Sequence, residues 1–367
     1  MSYQTGTMGV AEGSALIFIL LLPRVTLNAM TIALGQIGQI TWLYVLLHGL
    51  YVVVTAGIML YVQSKVKGDI YTMATTLFGK KVACLVLFVV LFIFFANSVL
   101  LIRQYAEYTI ITALPELDLN LSVLLYALGG LFTGYLGISG VTRCSIIFMP
   151  FLIAAFLGAA LMVYPFYIPY QLLPWQGYGL GHCIMQSITG SGYDFGFLAV
   201  FILAPAFQNT KTIRQSLIKG ITSSVLLKSF FMVVYIMVFG VMVGSEKATP
   251  FFELVRLIYL NRFFQHVEAL FIIAWVILGT LAIAGDLFIT AYLVGRVLNL
   301  PIIRPIMPCL AMLMTSVALL PENIMQAVRL DKQLIYLNDI AVYMIPLALL
   351  IATLSKQMKG TLWEKSS

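Results

Sequence analysis

The chain has 367 residues and a net charge of +7, with 61% hydrophobic and only 10% charged residues, and a mean hydropathy of +1.01. A soluble domain carries about 25% charged residues, so a water-soluble enzyme is excluded. A transmembrane helix takes about 20 apolar residues, and ten of them would consume about 200 and leave short loops, as this chain does. The expectation is an all-α polytopic membrane protein.

In chain order, apolar runs and their interruptions predict spans near 10–36, 42–62, 82–112, 121–141, 144–168, 181–208, 215–243, 266–297, 304–320 and 334–355. The first eleven residues carry no Lys or Arg, so the first run is expected to be kept as a span and not cleaved as a signal peptide. With the N-terminus inside, thirteen Lys/Arg flank inner segments, from Lys65 and Lys67 to Lys359 and Lys365. Only Lys247, Arg256, Arg262, Arg329 and Lys332 lie outside. That asymmetry places both termini in the cytoplasm.

Cys84, Cys144, Cys183 and Cys309 lie on separate apolar stretches, and His48, His182 and His266 have no ligand-like spacing. The cysteines read as packing residues and the histidines as helix contacts, so no metal or cofactor is expected. No run of Lys or Arg exceeds two residues (Lys80, Lys81), which implies no nucleic-acid partner. No Walker loop, kinase set, Gly-x-Ser-x-Gly elbow or His-Glu-x-x-His is present, so the chain is not expected to be an enzyme.

Halved, the span list repeats itself: an overlong broken span, a second span, a half-polar amphipathic segment, then three more. The amphipathic pieces are Gly68 to Gly79 and Pro250 to Arg262. Five spans per repeat is odd, so the halves are inverted, as in many secondary transporters. The expected architecture is a LeuT-like 5+5 inverted repeat in a single membrane domain over 1–367, with repeats at about 9–168 and 180–355.

Two breaks mark the expected site. Span one is interrupted at Leu21, Leu22, Pro23 and Arg24, where Pro lacks a backbone donor and crowds the preceding turn. Span six is interrupted through Ser187, Gly190, Ser191, Gly192, Tyr193 and Asp194. Free backbone groups at membrane depth need a cavity or a ligand, although Pro23 alone could make a simple kink and the glycines a close helix crossing. Asn97 of span three and Trp275 of span eight complete the set of candidate ligand-binding residues.

Ionisable residues within spans are costly unless paired or cavity-facing. Arg103 and Glu107 stand four apart and are expected to pair with each other. Lys228 is expected to snorkel from a span that begins later than drawn, the alternative being a cavity-facing amine. Glu268 reads as a solvated carboxylate at the outer interface. Asp194 and Asp286 are candidates for ion or proton coupling; the alternative for each is a buried carboxyl, protonated or paired with Arg24. The glycines of span four, including Gly130 and Gly134, read as a packing stripe.

Four stretches carry a family resemblance: Leu21 to Arg24, Gly68 to Lys80, Leu101 to Glu116, and Phe252 to Trp275. Together and in this order they resemble the B subunits of nutrient germinant receptors of endospore-forming bacteria, the GerAB-type spore germination permeases of the amino acid–polyamine–organocation superfamily. The resemblance implies a ten-span permease fold in the inner spore membrane that senses an amino acid or similar small nutrient beside A and C subunits. Many members carry Gly-Glu entering the second half of span six; here Gly196 is followed by Phe197. A proton-coupled amino acid or organic cation permease, and a scaffold subunit with a vestigial pocket, are the competing readings.

Overall fold

The structure, a computed structural model, describes residues 8–258 and 268–358. The expected positions Arg262, His266, Lys359 and Lys365 lie outside the described residues. Span one comprises α1 (Val10–Leu21), the single turn α2 (Pro23–Thr26) and α3 (Ala29–Ile37). Span two is α4 (Thr41–Lys65), followed by the amphipathic α5 (Ile70–Phe78) and span three, α6 (Lys80–Thr112). Spans four and five are α7 (Leu119–Tyr135) and α8 (Ile138–Met162). Span six is α9 (Leu180–Gly190), a tight 3-10 stretch over Ser191–Phe197 and α10 (Leu198–Ile202). Then come α11 (Thr210–Glu246), the short α12 (Pro250–Val255), α13 (Glu268–Val297) and α14 (Ile306–Ala318). Span ten is α15 (Ile324–Asp339) continuing through a π turn into α16 (Ile345–Met358).

Six helical stretches among the described residues are long and apolar enough to cross a membrane, and α7 and α14 are shorter apolar helices. Spans one and six escape that length test in part because both are broken. Their pieces make the centre of the bundle. Leu16 to Ile19, Leu21 and Leu22 on one, and Phe197 to Ile202 on the other, are sealed from solvent on every side, as befits helices that are apolar all round. The chain start runs beside the end of span six, where the Met8 N–H donates to the Ala206 carbonyl at 2.7 Å.

Boundaries follow local chemistry. Gly137, at φ +85°, separates α7 from α8, so span five begins at Ile138 and not at 144. Asn323 caps α15, its side chain accepting from the Gln326 N–H at 3.0 Å. Span ten therefore begins ten residues before the expected 334, and Arg329, Asp331 and Lys332 belong to a helix and not to a loop. The glycines of span four pack as expected. A Cβ on Gly130 would stand 2.6 Å from the Ile283 side chain, and one on Gly134 3.3 Å from the Ala284 carbonyl, both on α13.

The expected amphipathic helix after span two is present and held from three sides. Asp69 caps it by accepting from the Thr72 N–H at 2.9 Å. The same carboxylate receives Arg296, at the end of α13, through Nε at 2.9 Å and Nη2 at 2.6 Å. Lys356 of α16 donates to the Thr76 carbonyl at 2.6 Å. One buried carboxylate thus joins the two halves of the chain. Asp69→Ala is expected to lower stability by about 1 kcal/mol from the lost cap alone, read as a lower thermal midpoint in detergent, with the loss of the Arg296 bridge adding to it.

Candidate ligand site at the broken spans

The break in span one is not where Pro23 alone would put it. The Leu22 N–H still donates to the Phe18 carbonyl at 3.0 Å, and the Val25 N–H closes a tight turn on the Leu22 carbonyl at 3.1 Å. The extended residue is Leu27, at φ −103° and ψ 175°. Pro23 therefore starts a one-turn helix that aims Arg24 into the bundle, and the chain opens four residues later.

Arg24 is 4% exposed and sits at a junction of three spans. Its Nη1 donates to Asp331 of α15 and its Nη2 to the Asn97 side-chain carbonyl of α6. Asn97 in turn donates to the Ile93 carbonyl at 2.9 Å and toward Asn338 of α15 at 3.4 Å. The guanidinium also lies 5.9 Å from the centre of the Tyr193 ring, in the span-six break. An arginine never loses its proton in a protein, so burial obliges it to keep such partners.

A second buried centre lies on the far side of span six. Asp194 accepts from Lys228 Nζ of α11 at 2.5 Å, and His48 Nδ1 of α4 stands 2.8 Å from its other oxygen. All three side chains are fully buried. Lys228 does not snorkel: α11 runs unbroken from Thr210 past it, so the amine has no route to an interface and pairs instead. Asp194 is paired with Lys228, not with Arg24. His48 also meets Tyr44 edge-on at 5.1 Å between ring centres, and Tyr44 packs against Gly190, where a Cβ would stand 2.1 Å from the phenol oxygen.

The remaining expected residues fall around these centres. Leu21 and Leu22 are buried beside Pro23. Ser187 Oγ donates to the Ile184 carbonyl at 2.7 Å, and Ser191 Oγ to the Ser187 carbonyl at 3.0 Å, so both hydroxyls are spent on helix backbone. Gly192 lies against α15, where a Cβ would come within 2.7 Å of the Ile335 carbonyl and 2.8 Å of Asp339 Oδ1. Trp275 donates from Nε1 to Thr26 Oγ1 at 3.2 Å and stacks on Tyr105 at 4.9 Å. It walls the end of α2. Asp286 is 2% exposed and its Oδ1 meets no donor among the described residues. Arg103 and Glu107 pair at 2.7 Å as expected, and Glu107 also accepts the Ile324 N–H at 3.0 Å.

Above the Arg24 junction, a cavity of about 170 Å³ opens between α3, α4, α9 and α15. Gln36, Tyr44, Gln186, Tyr193, Lys332 and Tyr336 are among its lining residues. Gly190 and Tyr193, both expected in the site, line it, whereas Asn97, Trp275 and Asp286 do not. Tyr44, His48 and Asp331 escaped sequence reasoning. The apolar residues Ala327, Val328, Leu334 and Ile335, at helical spacing with Asp331 and running back to Asn323, were the available signal for Asp331, and all of them are buried.

A family model described as spore germination protein matches residues 8–327. The chain belongs to the spore germination protein family. No curated protein is close enough in sequence to match it. Among solved structures, this family member is similar to a Na⁺-coupled sialic acid symporter in a substrate-bound outward-open state, at 11% identity and a TM-score of 0.63, over 92% of this chain and 80% of that one. It is similar to MhsT in complex with L-phenylalanine at 12% identity and a TM-score of 0.62, over 96% and 100%. MHP1, a nucleobase-cation-symport-1 family transporter in a closed conformation, gives 12% and 0.60, over 89% and 75%. These likenesses carry the fold, a LeuT-like bundle of about ten spans.

The charged centre at Asp194 makes a sharp energetic prediction. Lys228→Met and Asp194→Asn should each cost about 3–5 kcal/mol, because each leaves an unpaired buried partner. The double variant Asp194→Asn with Lys228→Met should cost less than the sum of the two. Thermal midpoints of the four purified proteins measure the coupling.

Proposed function

We propose that this permease-like membrane protein is the B subunit of a nutrient germinant receptor. It would bind an amino acid or a similar small nutrient in the pocket of a transporter fold and pass the change of state to A and C subunits, triggering germination. The family match supports the setting. The observation that carries the binding role is the cavity ending at Tyr193, next to the buried Arg24, Asp331 and Asn97 junction. A cavity of about 150 Å³ can hold a molecule the size of benzene, so one of about 170 Å³ suits a small amino acid.

The mechanism follows from what the junction joins. Arg24 belongs to span one, Asn97 to span three and Asp331 to span ten, with Tyr193 of span six against the guanidinium. A ligand shifts a conformational equilibrium only by its differential affinity for the two states. A ligand wedged between α3, α9 and α15 would favour a state in which those pieces sit differently, and the ion pair would transmit that change to α6. The charge asymmetry of the loops supports both termini on the cytoplasmic side, and the cavity would then open toward the outer face of the inner spore membrane.

A proton-coupled permease for an amino acid or organic cation is the second reading. It is favoured by the fully buried Asp194, Lys228 and His48 cluster, a costly arrangement for a scaffold whose pocket has no role.

Thermal shift of the purified protein with pooled amino acids tests the binding role. Ligand at 100 times its Kd should add about 2.7 kcal/mol of stability. Spores carrying Gly192→Leu should lose the response to the same ligand, since the side chain would drive α15 off the span-six break. Uptake of that ligand into liposomes by this chain alone would instead assign it as a working permease.

A further inference from the structure

The cavity has one charged lining residue, Lys332, and no acidic one. Lys332 projects from α15 directly after Asp331, which is engaged by Arg24. Its own ammonium makes no hydrogen bond or ion pair with any described residue. Arg24, Asp194, Lys228 and Asp331 at the two buried centres are all paired, whereas this exposed amine faces a cavity without a partner. The rest of the wall is suited to a small polar molecule, with Gln36, Gln186 and Thr189 supplying amide and hydroxyl groups and Tyr44, Tyr193 and Tyr336 supplying ring faces and phenols.

We propose that this cavity is a receiving subsite for the carboxylate of a small ligand, with Lys332 as its anchor. The inference rests on the ligand-binding reading above and narrows it to a chemical class: carboxylates, zwitterionic or anionic, and not amines or amides. The physical reason is the sign of the field. A cavity whose only charged lining residue is a lysine, with the neighbouring Asp331 neutralised by Arg24, raises the local concentration of anions, and an ammonium without a protein partner is free to bind one.

The same geometry sets the next step. Tyr193 lines the cavity and also lies 5.9 Å from the Arg24 guanidinium, so a carboxylate held at Lys332 waits at the ring that covers Arg24. Arg24 is occupied by Asp331 and Asn97. Movement inward therefore requires the ligand carboxylate to replace Asp331 on the guanidinium, and a zwitterion can compensate the displaced Asp331 with its own ammonium. A simple amine offers nothing to Arg24, and an amide offers only a neutral acceptor.

Lys332→Gln and Lys332→Glu test the subsite, with Lys332→Arg as the conservative control and Gln186→Trp to fill the cavity without touching a charge. The probes are the twenty common amino acids, followed for each hit by its amide and its decarboxylated amine, all read by thermal shift in detergent at low and at physiological salt. The expected result is a hit among the carboxylates only. Its apparent affinity should fall roughly tenfold in Lys332→Gln, further in Lys332→Glu, and stay near wild type in Lys332→Arg. Gln186→Trp should lose the hit while keeping the unliganded midpoint. Salt should weaken the wild-type protein more than Lys332→Gln.

Equal affinity in wild type and Lys332→Glu overturns the Lys332 subsite and leaves the ligand-binding reading standing. So does a wild-type protein that takes the amide or the amine as well as the acid. A folded wild-type protein stabilised by none of the carboxylates overturns both.

Discussion

Taking a charge out of water into a helix bundle within a membrane is the constraint on which the arrangement of this protein depends. Arg24 cannot shed its proton, and at 4% exposure it has no solvent to share its donors with, so the chain must bring it acceptors. It finds one on α15 and one on α6, elements separated from it by 307 and 73 residues along the chain. Lys228 and Asp194 solve the same problem for spans seven and six, with His48 of span two against the second oxygen. Replacing such pairs with apolar groups is often no less stable, but each pair as it stands satisfies itself only when particular helices face one another.

Two groups of the Arg24 junction stand at the helix breaks. An unbroken span would carry Arg24 and Tyr193 on rigid cylinders, whereas here they sit on the single turn at Pro23–Thr26 and the tight stretch at Ser191–Phe197, short pieces set between longer helices. The cavity lies against one piece of each broken span, α3 and α9, and against α15. The other pieces, α1 and α10, are gripped by the core. The opposite end of the bundle is tied through Asp69, Arg296 and Lys356 around α5. The bundle thus has an open cavity at one end and a strapped helix at the other.

Similarity at 11–12% identity to symporters with different cargoes transfers the scaffold and nothing of the ligand. What distinguishes this chain is therefore to be sought in the residues that line its cavity and pair beneath it, and those are its own: Lys332 at the mouth, Tyr193 at the floor, Arg24 below.

Much was readable without the fold. Composition fixed the solvent, because a chain this apolar can bury its surface only against lipid and itself, and period and length located most spans, with the junction of spans four and five misplaced by six residues and the start of span ten by ten. Pro23 and the Gly190 to Asp194 stretch announced the breaks, since backbone chemistry is local and a missing donor or a flexible residue acts wherever it stands. The glycine pair Gly130 and Gly134 of span four was legible for the same reason. Pairings across the bundle were not. Asp331 lay in what read as a loop, since the charges at Arg329, Asp331 and Lys332 lower the hydropathy of the helix that contains them, and only the Asn323 cap and the buried stripe on α15 restore it to span ten. Lys228 read as a snorkelling side chain and His48 as a packing residue, because the identity of a buried charge's partner is a property of three-dimensional neighbourhood. Desolvation forces each such charge to be met by something, and the sequence states that demand residue by residue; only the tertiary structure decides which helix answers it.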